Sequence, residues 1–230
     1  EYGKKALSLL EDFCGTALLC ADWVKSHNER IAIGADLDPK VLNWGKKKNL
    51  LPLGKKAKRI TLLKKNVLNV TGPKVDVRVG FNFSYLIFKT RKELLQYFLI
   101  AKQSLKKDGM LILDLLGGPE AQTELEETTE HEGFDYVWDQ DHFNPIDHSY
   151  RCYIHFEFPD GTKLKKAFTY DWRLWSMMEI RDLLTEAGFK RTDVYWEGTE
   201  KNTDEGNGVF KKTRQAENDL SWISYIVAIP

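Results

Sequence analysis

Residues 11–17, Glu11-Asp12-Phe13-Cys14-Gly15-Thr16-Ala17, and residues 31–38, Ile31-Ala32-Ile33-Gly34-Ala35-Asp36-Leu37-Asp38, decide how this chain is read. Leu7 to Phe13 is a short apolar run ending in a turn. Ala17 to Val24 continues as a helix former rich in Ala and Leu, and a second apolar run then ends on an acid. Strand, tight turn, helix, strand, acid is the sequence form of a βαβ unit that holds an adenosine. A ligand there meets the amide-rich start of a helix. Gly15 has no Cβ to obstruct a close approach, and Ala17 is small enough to keep that approach open. Asp36 falls at the end of the second strand, where a carboxylate can accept hydrogen bonds from both ribose hydroxyls and repels a 2′-phosphate.

A dinucleotide is the obvious competitor, and the glycines count against it. The fingerprint asks for Gly at three places, which in this register are Phe13, Gly15 and Leu18. Two bulky residues leave little room for a pyrophosphate. A cofactor whose tail is an amino acid needs less intimate contact with the turn, and S-adenosylmethionine fits that description.

Later segments extend the pattern. Val75-Asp76-Val77-Arg78-Val79-Gly80-Phe81-Asn82-Phe83-Ser84 reads as a fourth strand and a ligand-facing loop, and residues 105–114 as a helix-to-fifth-strand junction. Arg173-Leu174-Trp175-Ser176 and Glu186-Ala187-Gly188-Phe189 bracket a late helix and the turn into a sixth strand. On these motifs, and on their order and spacing, the chain resembles the class I S-adenosylmethionine-dependent methyltransferases. The resemblance implies an α/β fold with a doubly wound, mostly parallel seven-stranded sheet of order 3-2-1-4-5-7-6, its last strand antiparallel. It implies S-adenosylmethionine held by Glu11, Phe13, Cys14, Gly15, Thr16, Ala17, Asp36, Leu37, Asn66, Val67, Phe81 and Asn82. It also implies a helical lid ahead of the first strand, and a chain that starts at Glu1 is expected to be part of a longer protein. Two positions depart from the family pattern: Phe13 replaces the first Gly of the turn, and Asn66 replaces an acid that receives the adenine amino group. Asn keeps a carbonyl acceptor, though a weaker one than a carboxylate.

At 230 residues the chain suits one domain, residues 1–230, enlarged by an insertion. No apolar run approaches a membrane span and no signal-like start is visible. Cys14, Cys20 and Cys152 are odd in number and lack CxxC spacing, which argues for reduced thiols in a cytoplasmic enzyme rather than a disulfide framework or zinc site. His131, His142, His148 and His155 lack the short spacing of helical ligand pairs, so no metal is expected. The net charge is zero but divided: the first 110 residues carry 22 Lys or Arg against 10 Asp or Glu, and the rest carry 12 against 24. Much of the basic excess lies in Lys46-Lys47-Lys48 and Lys55-Lys56-Ala57-Lys58-Arg59. Such a cluster could grip RNA phosphates, yet no aromatics alternate with these lysines, and a solvated face is the favoured reading.

Helix signals locate the framework. Asp38-Pro39 is an N-cap followed by a first-turn proline. Thr90 with Glu93 is a capping box ahead of Leu94, Leu95, Phe98, Ala101 and Leu105, with Asp108-Gly109 as the stop, and Ser176 with Glu179 repeats the device ahead of Ile180, Leu183, Leu184 and Ala187, with Gly188 as the stop. Arg191 to Trp196 and Ser221 to Ile229 read as two further strands joined by a polar segment containing Asp204, Gly206 and Gly208.

Residues 117–172 exceed what a minimal doubly wound domain needs and are the expected acceptor module. Glu120 to Glu132 is acidic and predicts a helical or loosely held surface segment. Tyr150 to Phe158 alternates Cys152, Ile154, Phe156 and Phe158 against Arg151, Tyr153, His155 and Glu157, turns at Pro159-Asp160-Gly161, and returns through Phe168, Tyr170 and Trp172: an inserted antiparallel hairpin. It begins beyond the carboxyl end of the fifth strand, where open parallel sheets bind ligands. Tyr85, Tyr170, Trp172 and Arg173 are the candidates for lining an acceptor pocket, and Tyr85 and His148 for taking a proton, each with a packing role as its alternative.

The expected activity is methyl transfer from S-adenosylmethionine to the O or N nucleophile of a small molecule. The alternatives are the same chemistry on RNA or protein, served by the lysine-rich face, and a nucleotide-binding Rossmann protein, either a dehydrogenase or a catalytically silent module.

Overall fold

The computed structural model describes residues 5–200 and 206–230. The first strand, β1 (Ser8–Asp12), is buried at all five positions, as a strand covered on both faces must be. After it come α1 (Leu18–Ser26), β2 (Ile31–Asp36), α2 (Pro39–Gly45), β3 (Ile60–Lys64), β4 (Val75–Gly80), α3 (Arg91–Gln103) and β5 (Leu105–Gly117). Strands β6 (Leu125–His131), β7 (Phe134–Phe143), β8 (Ser149–Glu157) and β9 (Lys163–Arg173) form a second sheet. The chain then returns through α4 (Met177–Glu186), β10 (Arg191–Thr199), β11 (Gly206–Thr213) and β12 (Trp222–Ile229).

The main sheet has the order β11-β10-β12-β5-β4-β1-β2-β3. Strands β1 to β5 run parallel, and β12 pairs antiparallel with both β5 and β10. The other seven strands keep the expected order, but β11 adds an eighth at the edge beyond β10, so the seven-stranded expectation is corrected. Alternation in β11 is masked by Gly206, Gly208 and the paired Lys211-Lys212; Asp204, in the same polar connection, lies outside the described residues. The apolar faces of α1 and α2 pack on one side of the sheet, through Cys20, Val24 and Leu42. Those of α3 and α4 pack on the other, through Leu94, Phe98, Ile180 and Leu184.

Local chemistry sets the helix ends. Asp38 accepts the Lys40 amide at 2.7 Å ahead of Pro39, and both predicted capping boxes form. Gly188 takes φ +89° after α4. Helix α3 stops at Gln103, earlier than Asp108-Gly109, because Leu105 already pairs with Val75 as the first residue of β5. The insertion is a four-stranded antiparallel sheet of order β6-β7-β8-β9, where a hairpin was expected, and Leu125 to His131 is a strand rather than a helix. Its acidic, exposed residues sit on an edge strand, whose pairing with β7 outweighs their weak strand propensity.

One buried ionic group stiffens the frame. Arg78, fully buried on β4, donates from Nε and Nη2 to the two oxygens of Asp12 at 2.6 and 3.0 Å, and from Nη1 to the Ser104 hydroxyl at 3.0 Å. Tyr97 donates its hydroxyl to Asp12 at 2.8 Å. The carboxyl end of β1 is thereby tied to β4 and α3. No described helix is long and apolar enough to cross a membrane.

Candidate active site

The turn after β1 is built from left-handed residues. Phe13, Gly15 and Ala17 have φ of 52°, 51° and 55°, and two of these carry a Cβ that disfavours the conformation. The Phe13 ring turns into the α3 layer, 6.3 Å from Phe88 and 6.2 Å from Tyr97, so it does not fill the turn. At Gly15 a Cβ would find nothing closer than Val41 at 3.8 Å, so the backbone there borders open space.

Asp36 joins the two halves of the unit. One oxygen accepts the Gly15 amide at 2.8 Å and the other the Asp38 amide at 2.9 Å, which leaves lone pairs on both for a diol. Leu37 beside it is exposed. Glu11 is buried, its carboxylate accepting the Cys20 amide at 3.1 Å in the first turn of α1. Burial pushes Glu11 up to about 7, against the downward pull of Cys20. Cys14 is buried against Gly34, where a Cβ would meet its sulfur at 2.8 Å. Thr16 is braced by residues that motif reading passed over: Asn49 donates to its carbonyl at 2.9 Å, and Gly45 packs so tightly that a Cβ there would overlap the same carbonyl. Asn66 spends its side-chain oxygen on the Leu68 amide at 2.9 Å, and the Val67 side chain is buried in the core.

The second wall is the loop after β4. Asn82 and Phe83 both take left-handed φ of 55°, held by Asp114, whose two oxygens accept the Asn82 and Phe83 amides at 2.7 and 3.0 Å. Burial raises Asp114 to about 6 in spite of these bonds. Phe81 turns its ring against Tyr225, 5.7 Å away.

From this loop a cavity of about 500 Å³ opens between the carboxyl edge of the main sheet and one face of the second sheet. Tyr170 and Trp172 line it together with Trp138, Tyr136 and Tyr150; β7, absent from the sequence reading, supplies two of these rings. Gln140 fastens the cavity's floor. Its amide donates to the carbonyls of Glu120 and Thr123 at 2.8 and 2.7 Å, and its oxygen accepts the Tyr150 hydroxyl.

Three acceptor-side expectations are corrected. Tyr85 is fully buried in a 3-10 turn and donates its hydroxyl to the Asp114 carbonyl at 2.7 Å, so it neither lines the cavity nor reaches a substrate proton. Arg173 points away, bonded to the Lys89 carbonyl at 3.2 Å and Glu179 at 2.8 Å and stacked 3.6 Å over Trp175. His148 lines a separate cavity of about 150 Å³, its Nδ1 lying 3.3 Å from the Leu174 carbonyl. In the lysine-rich run, Arg59 is structural, donating to the carbonyls of Val24, His27 and Arg30 at the end of α1. Glu126, Asp139 and His155 converge from three strands with possible ligand atoms within 4.8 Å of one another. His155 Nδ1 accepts the Lys166 amide at 2.7 Å, so Nε2 carries the ring proton and donates it to Asp139 at 3.0 Å.

No family model matches the sequence, and no curated protein is significantly similar to it. Its fold is that of known S-adenosylmethionine-dependent methyltransferase structures. One, from Clostridium acetobutylicum, superposes with a TM-score of 0.71 at 16% identity, covering 99% of this chain and 86% of its own. The CcbJ methyltransferase of Streptomyces caelestis gives 0.73 at 13%, covering 98% and 84%. S-adenosylmethionine-bound CalS10, an amino pentose methyltransferase from Micromonospora echinaspora, gives 0.68 at 14%, covering 100% and 86%.

Proposed function

We propose that this protein is an S-adenosylmethionine-dependent methyltransferase acting on a small molecule, its 230 residues forming one domain with an inserted acceptor sheet. The observation that carries the reading is the Asp36–Gly15 cradle standing beside the Asn82–Phe83 loop, from which the aromatic cavity opens. Asp12 pairs with Gly80 in register, so the turn after β1 and the loop after β4 leave the sheet side by side. A ligand lying across both carboxyl ends reaches from the cradle to the cavity.

The residues present suit the cofactor. Asp36 keeps free lone pairs for ribose hydroxyls, the Gly15 backbone borders open space, and the Phe13 ring lies elsewhere. When bound, the cofactor supplies a sulfonium methyl that is already strongly electrophilic. The protein's part is then positioning: Asp36 orients the nucleoside, the Asp114-held loop shapes the passage to the acceptor, and the ring-lined cavity aligns the acceptor away from water. CalS10, with the same fold, is an amino pentose methyltransferase, which supports a small acceptor in a cavity of this size. The buried, unpaired thiols of Cys14, Cys20 and Cys152 support a reducing compartment, the cytoplasm.

Titration calorimetry with S-adenosylmethionine, S-adenosylhomocysteine and NAD tests the assignment. The first two are expected to bind and NAD to give no heat. Binding of NAD without response to either methionine cofactor overturns it, and a gel shift with tRNA at moderate salt would redirect the acceptor assignment to RNA.

A further inference from the structure

We infer that the acceptor is an organic amine, captured in its protonated form against the aromatic wall of the cavity with the Glu127 carboxylate as counter-charge. This rests on the methyltransferase reading and goes beyond it by naming the acceptor's chemistry.

The wall is made of aromatic rings. Tyr170 and Trp172 have centroids 4.4 Å apart, and Trp138 lies 5.8 and 6.3 Å from them. Aromatic faces carry negative electrostatic potential, and the attraction they offer a cation grows as water is excluded. Elsewhere the chain provides such faces with its own cations: Arg30 lies 3.9 Å over Trp23, Lys166 3.9 Å over Tyr153, and Arg173 3.6 Å over Trp175. Tyr153 is on the far face of the same sheet. Among the described residues the rings of Tyr136, Trp138, Tyr170 and Trp172 receive no cation from the protein, and no Lys, Arg or His lines the cavity. Glu127 is its one acidic side chain.

The polar groups point the same way. Both amide donations of Gln140 go to backbone carbonyls, and the Tyr150 hydroxyl is donated to Gln140, so these groups hold no hydrogen for an anionic substrate. Burial, with Tyr136 and Cys152 nearby, lifts the Tyr170 phenol to about 12, so it stays a neutral hydroxyl. A carboxylate or phosphate acceptor would meet neutral donors such as the Tyr136 and Tyr170 hydroxyls together with the Glu127 carboxylate, and no cation to offset its desolvation.

Transfer balances simply. The bound ammonium gives a proton to water at the solvent-open edge formed by Glu127 and Thr129, which frees a nitrogen lone pair. That pair forms the new N–C bond as the methyl–sulfur bond breaks. The bond's electrons remain on sulfur as a neutral thioether, and the product leaves as the N-methylated ammonium.

The test uses an isosteric pair, (3-hydroxyphenyl)trimethylammonium and 3-tert-butylphenol, and the anion 3-hydroxybenzoate, each titrated into the protein saturated with S-adenosylhomocysteine. The ammonium is expected to bind roughly tenfold more tightly than its neutral isostere, with the carboxylate weakest. Glu127→Gln is expected to shrink the ammonium's advantage by about three- to tenfold. Equal or tighter binding of 3-tert-butylphenol or 3-hydroxybenzoate overturns the inference, as does an undiminished advantage in Glu127→Gln. Failure of S-adenosylhomocysteine itself to bind overturns the methyltransferase reading instead, so the two outcomes are separable.

Discussion

The Gly15 amide donates to the Asp36 carboxylate at 2.8 Å across 21 residues of sequence, so the acid expected to grip a sugar also holds the shape of the turn that faces it. Replacing Asp36 therefore removes two things at once. Asp36→Ala is expected to weaken S-adenosylhomocysteine binding by about 1 to 3 kcal/mol, through lost ribose contacts and a Gly15 amide without its acceptor. Calorimetry on the purified variant measures this; an unchanged affinity would remove Asp36 from the site.

Gly45 is the buttress behind the same turn. Its missing Cβ is what lets α2 lie against the Thr16 peptide, so Gly45→Ala must push that peptide forward or tilt the helix. The expected result is at least roughly tenfold weaker cofactor binding, with a stability loss of about 1 to 3 kcal/mol. Gly15→Ala differs, since space exists at that Cβ and the cost comes from its φ of +51°. It is expected to cost about 1 kcal/mol of stability, read from a urea titration.

Glu11 makes stability depend on pH with a definite sign. Its carboxyl is raised from 4.5 to about 7 by burial, so the folded chain binds this proton more tightly than the unfolded chain does. Below pH 4.5 the group is protonated in both states. As pH rises from 4.5 to 7 the folded state must surrender a proton it holds more tightly, and stability falls. Glu11→Gln, which keeps an acceptor for Cys20, is expected to gain roughly 1 to 3 kcal/mol over wild type above pH 7 and little at pH 4.5. Denaturation at both pH values checks the difference.

The Arg78–Asp12 pair is expected to respond asymmetrically. Arg78→Leu strands a fully buried carboxylate with Tyr97 as its remaining side-chain donor and should cost about 3 to 5 kcal/mol. The double variant Asp12→Asn, Arg78→Leu should cost less than the single one, because no uncompensated charge remains. A larger loss in the double variant would mean that packing, not charge, dominates.

The cradle was legible before any coordinates because its parts are local. A β-strand ending at Asp12, a glycine in a turn and an acid closing β2 are spaced by the length of one helix, and Asp38-Pro39, Thr90-Glu93 and Ser176-Glu179 announce helix starts within four residues of themselves. The acceptor side was less legible. Phe134 to Trp138 alternates its rings with Asp135 and Val137, but Asp139-Gln140-Asp141-His142 breaks the pattern, and the value of the whole run as a strand shows only when β6 and β8 pair beside it. Tyr85, Arg173 and His148 had suitable chemistry, but their directions depend on a 3-10 turn, on Trp175 and on Leu174, none of which a spacing rule encodes.

The chain's own order of residues determined the alternation of strands and helices in the parallel half, the glycine turn and the acid at its far end, because hydrophobic period, capping and turn chemistry act within a few residues; the order of the strands in the sheet followed from the family resemblance. Only the tertiary structure decided which rings line the cavity and which charges are spent inside the frame. Several of those outcomes join residues far apart in the chain, Asp12 with Arg78 across 66 positions and Lys89 with Arg173 across 84, and at such separations contact is set by how elements pack, a property that no single segment carries.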